Sequence, residues 1–113
     1  MGGKHWIFYK RGHLHLNFIH HFREEMRVFL EKDLIFQDLG DKIAVWNPKN
    51  KETLILNHTA WYILNLIEDG INSVEEIAEN LAREYRIDLE IARRDTIEII
   101  DELLKAGVIW KEG

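Results

Sequence analysis

The chain of 113 residues has no cysteine and a single proline. Without cysteine there is no disulfide, no thiol nucleophile and no thiolate metal site. Its longest uninterrupted apolar runs are four to five residues, such as Ile43–Trp46 and Ala60–Leu64. A bilayer-spanning helix needs about 20. No apolar stretch near Met1 resembles a signal peptide, so a cytoplasmic protein without a membrane partner is expected. Glycine-rich phosphate loops are also missing, as is any Ser/His/Asp arrangement that sequence can support. The expectation is therefore a non-enzyme without a cofactor. What is present is a globular composition: 46% hydrophobic and 31% charged residues. Such a chain fits one domain of ordinary size.

Charge is unevenly placed. Residues 1–30 carry five Lys/Arg against two Glu, and five of the six histidines. Residues 31–113 carry ten Lys/Arg against eighteen Asp/Glu, a net of −8. Phosphate backbones repel such a surface, so no nucleic-acid partner is expected. His13 and His15 share a face if their segment is a strand, and His20-His21 follows. No carboxylates cluster with them, and incidental histidines are the plainer reading. Asn57-His58-Thr59 matches a glycosylation sequon, but Asn57 reads better as a helix cap.

Two units emerge along the chain. Residues 1–25 are irregular: Trp6–Tyr9 and Leu14–Phe18 flank Lys10-Arg11-Gly12-His13, a weak hairpin pattern. This segment reads either as a native extension or as the product of an upstream start before Met26. Residues 26–113 are regular. Leu34–Gln37, Lys42–Trp46 and Thr53–Leu56 read as three strands. They are joined by turns at Leu39-Gly40-Asp41 and Asn47-Pro48-Lys49-Asn50. Three helices follow. Asn57 caps the first, which runs to Glu68. A capping box, Ser73-Val74-Glu75-Glu76, opens the second. Asp88 caps the third, which ends at Ala106-Gly107. Val108-Ile109-Trp110 closes the chain as an extended tail. The fold class is α+β: a three-stranded antiparallel sheet packed on a three-helix winged helix-turn-helix bundle.

The third helix carries two apolar stripes. Ala92, Thr96, Ile99, Leu103 and Ala106 form one, which suffices for packing. Ile97, Ile100 and Leu104, in line with Arg93, form another roughly 100° further round. Each buried Ile or Leu side chain gains about 1.5–3 kcal/mol over an exposed one, so the second stripe must be covered. The protein's own sheet and a partner peptide are both open as the cover. A winged-helix transcription regulator is a competing reading, but the helix from Asp88 to Lys105 holds six acidic residues against three basic ones. A self-associating domain, for example a homodimer paired through an open sheet edge, is a third.

The order of Leu56-Asn57-His58-Thr59-Ala60, Ile63-Leu64, Glu68-Asp69-Gly70, Ser73–Ala78, Leu81, Tyr85, Asp95-Thr96, Ile99-Ile100, Leu103 and Gly107-Val108-Ile109 resembles the PqqD family. These are the peptide-chaperone domains also called RiPP recognition elements. The resemblance covers about three-quarters of the chain, from Met26 to Trp110. It implies a domain that binds the leader of a ribosomally made precursor peptide and presents it to a modifying enzyme, often a radical-SAM protein. The leader would add as a strand beside Thr53, Leu54, Ile55 and Leu56. It would lie against the third helix at Arg93, Arg94, Ile97, Ile100 and Leu104. The two arginines would suit acidic residues of a leader.

Overall fold

The computed structural model describes residues 4–6 and 26–112. The element order is β1 (Lys4–Trp6), β2 (Val28–Leu30), β3 (Ile35–Asp38), β4 (Ile43–Asn47), β5 (Glu52–Leu56), α1 (His58–Glu68), α2 (Val74–Tyr85), α3 (Leu89–Lys105) and β6 (Ile109–Lys111). β3, β4 and β5 form the expected antiparallel meander. Gly40 turns the first hairpin at φ +97°, a conformation that costs glycine little. The proposed hairpin of residues 6–18 lies outside the described residues apart from Trp6, and so do His13, His15, His20 and His21.

All three helix starts follow from their caps. The Asn57 side chain accepts from the Ala60 N–H, Ser73 from Glu76, and Asp88 from Glu90. Each satisfies a donor that the first helical turn leaves unpaired. α2 stops at Arg86, which takes a left-handed conformation at φ 55°.

One core unites sheet and helices. Val45, Leu54 and Leu56 from the sheet meet Ala60, Ile63 and Leu64 of α1, Ile77 and Leu81 of α2, and Ala92, Ile99, Ile100 and Leu103 of α3. The C-terminal tail is not a free extension. Ile109–Lys111 pairs antiparallel with Val28–Leu30 as a separate two-stranded ribbon, with Phe29 stacked on Trp110 at 4.7 Å between ring centroids. Tyr85, in the last turn of α2, is 41% exposed. Its ring meets Tyr62 edge-on at 5.8 Å.

Thr96 sits in the middle of this core with no exposure. Among the described residues its hydroxyl has no hydrogen-bond partner. A buried hydroxyl without a partner costs its desolvation, roughly 1–3 kcal/mol. Thr96→Val keeps the shape and removes that cost. The variant should gain about 1 kcal/mol in urea unfolding. An unchanged or lower midpoint would mean the hydroxyl is satisfied.

Candidate functional site

β5 is the strand on which the expected site turns. Leu54, Ile55 and Leu56 are 2%, 3% and 0% exposed. Leu54 and Leu56 face the core. Strand alternation puts Ile55 on the opposite face of the sheet, away from the helices. The side chains of Leu54–Leu56 are thus enclosed, and what this part of the strand has to offer a partner is its main chain. On one side that main chain pairs with β4. On the other it pairs with β1, in parallel, with Lys4 beside Thr53, His5 beside Leu54 and Trp6 beside Ile55. The sheet therefore has four strands in the order β1-β5-β4-β3. The edge expected to stand open holds a strand from the same chain.

The residues assigned to α3 divide. Ile97 and Leu104 are half-buried. Leu104 packs against the core, whereas Ile97 is not part of it. Ile100 is fully buried beside the sheet residues Leu54 and Leu56. The protein's own core covers that part of the second stripe, and Ile100 presents no surface. Arg94 is exposed. Arg93 is already engaged: Nε and Nη2 donate to both carboxylate oxygens of Glu75 at 2.9 and 2.8 Å, and Nη1 donates to Glu90 at 3.1 Å. It clamps α2 to α3 through these pairs. The forked geometry of guanidinium and carboxylate makes such a pair stronger than a single contact.

These hydrogen bonds from Arg93 hold the Glu75 carboxyl below its ordinary range, against the opposing effect of burial. A carboxylate whose pKa falls on folding adds stability above its unfolded pKa of about 4.3. It loses that contribution as the pH falls through the folded value. Glu75→Gln should therefore lower the thermal midpoint at pH 7, with the difference from the parent narrowing once the pH drops below about 4. A pH-independent difference would assign the effect to packing alone.

An anchor that sequence reading left out sets the relation between α3 and β5. The Asn47 side chain donates to the Gly107 carbonyl at 2.8 Å and accepts from the Lys49 N–H at 2.9 Å. Asn50 donates to the Ala106 carbonyl at 2.9 Å. The turn leading into β5 is thereby fastened to the carbonyls at the end of α3, groups that a helix C-terminus leaves without partners. The Asn-Pro-Lys-Asn turn gave the only hint of it. Asparagine is common in turns for local reasons, and nothing local names a carbonyl 60 positions away as its acceptor.

Two hollows of about 170 and 130 Å³ lie beside Trp61 of α1. Both fall below the roughly 300–1,000 Å³ of ordinary small-molecule sites. No group of three or more metal-ligating side chains occurs among the described residues. No described helix is long and apolar enough to cross a membrane.

An antiparallel meander backed by three helices, with its last strand flanked by a further strand, defines a small α+β domain. The sequence pattern of coenzyme PQQ synthesis protein D (PqqD) matches residues 43–109, and the chain belongs to this family. No curated protein matches it. Among solved structures, the chain is similar to the PqqD truncation of Methylobacterium extorquens PqqCD, a stand-alone RiPP recognition element. The identity is 26% and the TM-score 0.63, over 79% of this chain and 94% of that one. TbiB1 in complex with the TbiA(β) leader peptide shares the fold at 18% identity and a TM-score of 0.63, over 72% of this chain and 93% of that one.

Proposed function

We propose that this protein is a non-catalytic chaperone for a precursor peptide. It binds the leader segment as a strand beside β5 and presents the peptide to a modifying enzyme, with a radical-SAM maturase the leading candidate. The reading places it in the cytoplasm, where such peptides are made, with residues 26–113 as the binding domain. The observation that carries it is the state of β5. Leu54, Ile55 and Leu56 are buried, while its outer main chain accepts a strand. That is the arrangement β-augmentation uses: main-chain hydrogen bonds supply affinity that tolerates sequence, and flanking side chains supply selectivity. Ile97 and Leu104, with the exposed Arg94, are the flanking groups in this reading. The family membership and the leader-bound TbiB1 complex support it from outside the chain. A DNA-reading role fares worse, because α3 is acidic and Arg93 is neutralised by two carboxylates.

The test is an NMR titration of labelled protein with synthetic peptides from short reading frames beside its gene. Chemical-shift changes concentrated at Thr53–Leu56 and Arg93–Leu104 are expected from one of them. A folded protein that shows no change with any of these peptides, but binds a partner protein elsewhere, would overturn the reading.

A further inference from the structure

We infer that residues 4–6 act as an internal competitor for the leader, a strand from the same chain that occupies the β5 edge and must leave before a peptide can be added. The inference rests on the leader-binding reading of β5 and goes beyond it by assigning a regulatory role to the N-terminal segment. Three observations carry it. The first is the ladder itself, with Lys4, His5 and Trp6 in register with Thr53, Leu54 and Ile55. A β-strand edge has one row of hydrogen-bonding groups, so β1 and an added peptide cannot both use it.

The second is the weakness of the pairing. It is three residues long and parallel, whereas the meander it joins is antiparallel with four or five residues per strand. Parallel pairs are slightly less stable per residue, and three residues give few hydrogen bonds. Such a strand can be displaced, unlike β4, which is paired on both sides and places Val45 in the core.

The third is the tether. Nineteen positions, 7–25, lie in the sequence between β1 and Met26. Nineteen residues reach at most about 65 Å when extended. The protein is 34 Å across its longest axis, so the strand can return to the edge after release. A strand carried on the same chain competes at an effective concentration that does not change with protein concentration. A free leader then sees only the fraction of molecules whose edge is vacant, and its apparent affinity falls by that fraction.

Two variants of the full chain test this. His5→Pro with Trp6→Pro removes both amide donors, so whichever of them the ladder uses is lost. Lys4→Cys with Thr53→Cys joins Cα partners in adjacent strands about 4.8 Å apart. That lies within the 4.4–6.8 Å window for a disulfide, in a chain otherwise free of cysteine. Hydrogen exchange is read at the amides of Glu52–Leu56 that point away from β4. Binding is read with a fluorescein-labelled synthetic peptide from the titration above. In the proline variant those amides should exchange at least ten-fold faster, and the peptide should bind roughly three- to ten-fold more tightly. The oxidised cysteine variant should bind no peptide, and reductant should restore binding.

Unchanged exchange in the proline variant, or full binding by the locked chain, would overturn the inference and leave the leader reading in place. Edge protection that grows with protein concentration would transfer the strand to a second copy and likewise overturn it. Faster exchange in the proline variant with no peptide bound by any form would overturn the leader reading while the internal pairing stands.

Discussion

Ile97→Asp should reduce leader affinity by at least 30-fold while the domain remains folded. Ile97 is an apolar side chain, half-buried on α3 and outside the core, with nothing in its helical position that requires isoleucine. Covering it with a peptide side chain is worth about 1.5–3 kcal/mol. Burying an unpaired carboxylate in its place adds a desolvation cost, and every 1.4 kcal/mol is a factor of ten in affinity. Stability should change by less than about 1 kcal/mol, since the substitution opens no core cavity. Two neighbours on the same stripe serve as contrasts. Leu104 packs against the core, so Leu104→Asp should lose both binding and stability. Ile100 is fully buried, so Ile100→Asp should unfold the domain. Peptide titration and urea unfolding of the three variants separate the outcomes. A folded Ile97→Asp protein with parental affinity would remove α3 from the site.

Gly107→Ala should destabilise the protein by roughly 2–4 kcal/mol. Gly107 has φ +75°, where a side chain costs about 1–2 kcal/mol. A Cβ there would also lie 2.8 Å from the Asn50 amide nitrogen and 3.1 Å from that of Asn47. Asn50 is exposed and can swing aside, but Asn47 is 3% exposed and cannot. Its hydrogen bond to the Gly107 carbonyl would be strained or broken, which adds about 1 kcal/mol. Asn47→Ala should cost a comparable amount by removing the same bond from the other side. Because both act on one anchor, the double variant should fall short of the sum of the singles. Strict additivity in urea unfolding would show that the two residues do not act through a shared contact. The same loosening frees the end of α3 from the turn before β5, so leader affinity should fall together with stability.

How far these features were legible in the sequence depends on the range over which each is set. The three helix starts could be read at Asn57, Ser73 and Asp88, because a cap and its first turn lie within three residues of each other. The meander could be read from short β-branched runs separated by turn residues. The buried face of α3 followed from helical spacing, and Ala92, Ile99 and Leu103 are all without exposure. The family resemblance rested on the same local patterns in a fixed order.

The remaining features required the chain to be folded. An apolar stripe states that something must cover it but not what. Only the packed structure separates Ile100, enclosed by the core, from Ile97 beside it. An arginine on a helix carries no local sign of its partner, and Arg93 meets Glu75 eighteen positions earlier. The pairing of Val28–Leu30 with Ile109–Lys111 joins the two ends of the domain, and three residues on each side are too few for a period to show. The placement of Lys4–Trp6 on β5 is of the same kind. The sequence by itself determined the helices, their caps, the meander and the family, because those depend on neighbours along the chain. Tertiary structure decided which residues of the apolar stripe remain accessible and which strand holds the edge, because those depend on competition among distant segments for the same surface.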